Sequence, residues 1–109
     1  MIAVVVVRDG QLPSGGDEVV AECSGRAVLI GSGTAGAAAD LTGVATEITV
    51  LEVGDFQPGA WATTLAPLLH QEPAVVLPGS PDGRDLAPRI AALLHRPLYA
   101  GAISVTPHR

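Results

Sequence analysis

Ile2–Val7 reads Ile-Ala-Val-Val-Val-Val, apolar without a break and rich in β-branched residues. A strand with one wet face alternates apolar and polar side chains. A continuous run suits a strand covered on both faces, as in a parallel sheet between helix layers. The run is also too short, and lacks the preceding basic residue, to be a signal-peptide core or a membrane span.

The rest of the chain fits that opening. "RDGQLPSGG" follows the first strand and is rich in turn formers. Asp17–Ser24 reads as a short helix burying Val19, Val20 and Cys23, with Gly25 ending it. Ala27–Ile30 is a second strand, Thr34–Leu41 a small Ala-rich helix and Glu47–Val53 a third strand. Asp55 is positioned to cap a helix whose Trp61, Leu65, Leu68 and Leu69 form a one-sided apolar stripe. Pro67 removes an amide donor, so that helix is expected to kink there or to end its regular part near Ala66. Ala74–Leu77 is a fourth strand, and "PGSPDGRD" reads as a loop. Asp85 is the expected N-cap of the next helix, with Pro88 in its first turn and Leu86, Ile90, Leu93 and Leu94 as its stripe. Pro97 stops that helix, and Leu98–Val105 is the fifth strand.

The alternation implies one α/β domain over residues 1–109. Its architecture is a three-layer open parallel sheet of about five strands, order 3-2-1-4-5, with helices on both faces and right-handed crossovers. Apolar residues make up 48% of the chain and aromatics only 3% (Phe56, Trp61 and Tyr99), so the core is built from Val, Leu, Ile and Ala.

Charge and composition exclude several function classes. Net charge is −5 and every basic residue apart from the histidines is Arg. The balance is uneven: residues 1–72 carry nine acids against Arg8 and Arg26, while residues 73–109 carry Asp82 and Asp85 against four arginines. An acidic chain with few rings is a poor ligand for nucleic acid or an anionic membrane. Cys23 is the sole cysteine, which rules out an internal disulfide and fits a cytoplasmic location. It reads as a small buried residue. His70, His95 and His108 are too dispersed for a metal site. No Gly-x-Ser-x-Gly elbow exists, so hydrolase chemistry has no support and no catalytic residue is assigned.

One motif does point to a ligand. Gly31, Gly33 and Gly36 have the G-x-G-x-x-G spacing between a strand and a helix, and Glu52 lies at the end of the next strand. That is the arrangement of a dinucleotide site, with glycine backbone and helix N-terminus for the pyrophosphate and the acid for a ribose. Against this, the motif follows the second strand. Ligands of open α/β sheets sit where the strand order reverses, here between the loops after strands one and four. On that geometry Asp9, Ser14, Gly15 and Gly16 face the crevice, as do Arg84, Asp85 and Arg89 as an interface or ligand site. The glycines then serve a tight turn that lets the Ala-rich helix pack closely. A stand-alone dinucleotide- or adenine-nucleotide-binding domain using Gly31, Gly33, Gly36 and Glu52 is the alternative.

A later segment carries a resemblance. In "AVVLPGSPDGRDLAPRIAALLHRPL", a strand ends in a small-residue loop, followed by Gly83, Arg84, Asp85, Leu86, Ala87, Pro88, Arg89 and an Ala-Leu helix. This resembles the alpha subunit of electron transfer flavoproteins. "MIAVVVVRDGQL" is similar to that family's first strand, and "GSGTAGAAADLTG" to its second strand-helix passage. The resemblance implies the N-terminal domain of an alpha subunit, which docks a beta subunit and supports a separate FAD domain. The assembled complex accepts electrons from dehydrogenases and passes them to an acceptor. It implies FAD in the complex, with no FAD ligand assigned to any residue here. It also implies an electron-carrier role rather than an enzyme's, with Gly83, Arg84, Asp85, Pro88 and Arg89 as the family motif or interface.

Overall fold

The computed structural model describes residues 1–98 and the backbone of residues 99 and 103–105. The elements run β1 (Ile2–Val7), α1 (Gly16–Glu22), β2 (Arg26–Gly31), α2 (Thr34–Asp40), β3 (Glu47–Glu52), α3 (Pro58–Leu69), β4 (Val75–Leu77), α4 (Pro81–Leu94), β5 (Leu98–Tyr99) and β6 (Ile103–Val105). The sheet order is β3-β2-β1-β4-β6-β5.

The first strand holds the centre. β1 pairs in parallel with β2, Ala3 beside Ala27 and Val7 beside Gly31, and with β4, Ile2 beside Val75. All six of its residues are buried. Successive side chains on a strand point to opposite faces, so β1 feeds two cores. Ile2, Val4 and Val6 join Val28, Ile30 and Leu77 against Trp61 and Leu65 of α3 and Leu86 and Ile90 of α4. Ala3, Val5 and Val7 join Leu29 and Val76 against Val19, Val20 and Ala37 on the α1 and α2 side. Each fully buried Val or Leu contributes about 1.5–3 kcal/mol. The three-layer expectation thus holds for four parallel strands in the order 3-2-1-4, with helices on both faces.

The fifth strand does not run as expected. In place of one parallel strand over Leu98–Val105 there are two short ones: β6 lies antiparallel to β4, and β5 antiparallel to β6. The crossover through α4 does set β5 in the common direction, but β6 returns between it and β4.

Three helix ends also differ from expectation. α4 starts at Pro81 with Ser80 as its N-cap, whose Oγ accepts the Gly83 N–H at 3.2 Å. Asp85 is therefore not a cap, and Pro88 lies inside the helix rather than in its first turn. Ser followed by Pro at the first helical position is the stronger start signal, and it sat within the stretch read as a loop. α3 begins after Gln57 with Pro58 in its first turn, so Asp55 does not cap it. α3 also continues past Pro67 to Leu69. The proline is exposed, while Leu65 and Leu69 on the opposite face are fully buried. Their burial offsets the roughly 3 kcal/mol that an interior proline costs.

Distant contacts tie the layers. Arg26 of β2 grips Glu72, after α3, with both terminal nitrogens (2.7 and 2.8 Å). Arg96 donates to the carbonyls of Glu72 and His70 at 2.6 and 2.7 Å, satisfying acceptors at the C-terminal end of α3. Among the described residues no helix is long and apolar enough to cross a membrane.

Candidate functional site

Two places gather polar groups at the C-terminal edge of the parallel strands. The first is the glycine loop between β2 and α2. Gly31 has φ 144°, and a Cβ there would run into the Val7 carbonyl. Gly33 is left-handed at φ 71°, and a Cβ there would meet the backbone nitrogen of Gly10. These two glycines let the loops after β1 and β2 press together, backbone on backbone, an approach reinforced by the Gly10 N–H donating to the Ser32 carbonyl at 2.9 Å. Asp9 belongs to the same junction: its N–H donates to Ser32 Oγ at 2.9 Å. Gly36 differs, since it lies exposed in α2 with open space around its missing Cβ.

Glu52 completes this locus. Its carboxylate accepts the Gly33 N–H (2.9 Å), the Thr34 N–H (2.9 Å) and the Thr34 hydroxyl (2.8 Å). These bonds hold its carboxyl below the ordinary range, the Thr34 amide first among them. The start of α2 already has an anion, supplied by the end of the neighbouring strand. The donors that a phosphate would take are the ones Glu52 uses.

The second place is the crevice where strand order reverses, between β1 and β4. It encloses about 890 Å³ and is lined by Val6, Leu12, Pro13 and Pro81 as apolar wall, with Arg8, Gln11, Ser14, Ser80 and Asp82 as polar groups. Its size and position are those of small-molecule sites in open α/β sheets. Arg8, directly after β1, reaches across to the first turn of α4 and grips Asp82 with two nitrogens, at 2.6 and 2.8 Å. The same guanidinium lies 5.4 Å from the Phe56 ring centre, and Phe56 meets Trp61 edge-on at 5.0 Å. Trp61 is thus core packing rather than a free stacking surface.

Of the residues expected at the crevice, Ser14 lines it, whereas Asp9, Gly15 and Gly16 fall outside its lining. The residues expected as an interface, Gly83 to Arg89, also lie beside it rather than in it. Gly83 is buried in the first turn of α4, and Arg84 Nε donates to the Gly79 carbonyl at 2.9 Å. Asp85 and Arg89 face each other at 3.7 Å, both half exposed. Pro88 is exposed on the same helix. Sequence reasoning missed Arg8, Gln11 and Asp82. Their signal was position, since they flank the ends of the two strands between which the order reverses.

The remaining candidates are structural in their placement. Cys23 is buried beside Val19 and Val20, and burial pushes its thiol upward, away from the reactive thiolate. His70 and His95 close α3 and α4, and His108 lies outside the described residues. Among the described residues no cluster of three or more His, Cys, Asp or Glu is placed to hold a metal ion.

A family model described as electron transfer flavoprotein domain matches residues 15–107. No curated protein and no solved structure matches the chain.

Proposed function

Since the chain belongs to the electron transfer flavoprotein family, we propose that it is the N-terminal α/β domain of an alpha subunit, a scaffold that docks a beta subunit and supports a separate FAD domain. The assembled, cytoplasmic complex takes electrons from a dehydrogenase and delivers them to an acceptor. Electron transfer belongs to the assembly, and this chain supplies its shape and its surfaces.

The observation that carries this reading is the occupation of the glycine loop by Glu52. The loop most like a dinucleotide site has its donors satisfied from within, and Gly33 is pressed onto Gly10. Phe56 and Trp61 pack on each other, and the charged pair of the crevice is self-neutralising. No electron-transfer step is therefore assigned to a residue of this chain. Gly83, Arg84, Asp85, Pro88 and Arg89 act here as a helix start and an exposed helix face available to another subunit.

The test is co-expression of the reading frame that contains this chain with a beta subunit. A stable yellow complex, with the chain alone colourless, is the expected result. A chain that purifies alone with stoichiometric flavin overturns the reading.

The 890 Å³ crevice favours a second reading, a small adenine nucleotide held between β1 and β4. Titration with AMP tests it: saturable shifts at Arg8, Gln11 and Asp82 support it, and unchanged signals there reject it.

A further inference from the structure

β3 is the edge of the sheet and pairs on one side only, with β2, among the described residues. The Glu47 N–H donates to the Gly25 carbonyl at 3.2 Å and the Val53 N–H to the Gly31 carbonyl at 2.9 Å. In a parallel ladder alternate residues turn both backbone groups to the same side. Ile48, Val50 and Glu52 therefore direct their N–H and C=O groups away from β2, into the open.

Open edges are normally blunted by short length, charged side chains (Lys above all), Pro, a bulge or a covering segment. β3 (Glu-Ile-Thr-Val-Leu-Glu) contains no Lys or Pro and pairs with β2 residue for residue, without a bulge. Its flanks are uncovered as well: Val50 is 46% exposed and Val53 42%. What the edge does carry is negative charge. Glu47 is exposed, and its nearest cation, Arg26, is 3.9 Å away and committed to Glu72. At the other end the Glu52 carboxylate is bound to Gly33 and Thr34, and Asp55 just beyond it has Arg8 as its nearest cation in reach, so Glu47 is the acid of this edge with the weakest counter-charge.

We propose that β3 accepts an extended basic segment of a partner protein as an added strand. The segment has an apolar residue opposite Val50 and Arg or Lys toward the Glu47 and Glu52 ends. Backbone pairing supplies the attachment, and the side chains at alternate positions supply the selectivity. Charge decides against a second copy of this chain, because two such edges would bring acidic ends together. The inference does not depend on flavin or on which subunit of the family this chain is.

The probe is a capped synthetic peptide, Arg-Thr-Val-Thr-Val-Arg, titrated into the isotope-labelled chain and followed through its amide signals. Saturable shifts and new exchange protection at Ile48, Val50 and Glu52 are expected. A peptide with Glu at both ends should cause neither. Val50→Pro removes an outward N–H but no bond to β2, so it should keep the fold and weaken the basic peptide about tenfold or more. If that variant fails to fold, Val50→Lys decides, by repelling the same peptide. The proposal is overturned by equal binding to the folded Val50→Pro variant or to Val50→Lys, by shifts confined to other surfaces, or by concentration-dependent dimerisation of the chain through this edge.

Discussion

Replacing Gly33 by alanine separates a packing joint from a phosphate cradle. Gly33 sits at φ 71°, and its added Cβ would strike the Gly10 backbone rather than a movable side chain. Holding a side-chain-bearing residue in the left-handed region costs roughly 1–2 kcal/mol. Forcing the loop after β1 aside adds about 1–3 kcal/mol, by analogy with overpacked cores. The sum, about 2–5 kcal/mol, is a large fraction of the roughly 5–15 kcal/mol that holds a small domain together. A fall in Tm of at least about 8 °C follows for a chain of this size. Gly36→Ala, in the same motif, should do the opposite. It fills open space in α2 and should stabilise by about 0.5–1 kcal/mol. Thermal melts of both variants by circular dichroism, each with and without NAD, are the assay. The reasoning is refuted if Gly33→Ala melts with the parent while tight NAD binding disappears, because the glycine would then be serving a ligand.

Other expectations follow from single contacts. Ser80→Ala should cost about 1 kcal/mol as a lost cap, whereas Asp85→Ala should stay within about 0.5 kcal/mol; denaturant titration distinguishes them. Glu72 is held below the ordinary carboxylate range, chiefly by its hydrogen bonds to Arg26. Its folded value lies below its unfolded one, so its contribution is present above about pH 4.3 and lost as pH falls through the folded value. Melts at descending pH should show a steeper acid loss in the parent than in Glu72→Gln, and parallel curves would contradict that. Arg96→Ala should raise amide exchange at the C-terminal end of α3 and in the residues just after it, where Arg96 now satisfies the His70 and Glu72 carbonyls.

The sheet was legible where the sequence is unambiguous. The unbroken apolar run Ile2–Val7 marked a strand covered on both faces of a parallel sheet, and β1 is buried throughout at the centre of four parallel strands. The family was legible too: the run from Gly83 to Leu94 carried the resemblance, and the match over residues 15–107 bears it out. Helix ends were less so, because caps compete locally. Ser80 with Pro81 outranks Asp85, and Pro67 is tolerated because burial of Leu65 and Leu69 outweighs one missing donor. The split of Leu98–Val105 depended on which strand could lie beside β4, a tertiary choice that period-two patterning does not encode. At the glycine loop the spacing was right, but its meaning turned on where Glu52 points. The acid has the position of a ribose ligand, yet its carboxylate turns back onto Gly33 and Thr34. The Arg8–Asp82 clasp was hidden because its two members are 74 residues apart and neither belongs to a local motif.

The central claim is that this chain is a scaffold whose glycine loop is closed by its own Glu52. Calorimetric titration of the purified chain with FAD and with NAD tests it most directly. The account expects no saturable heat for either, in the parent and in Glu52→Gln alike. Micromolar or tighter binding of either cofactor by the parent, abolished by Gly33→Ala in a variant that still folds, would contradict it.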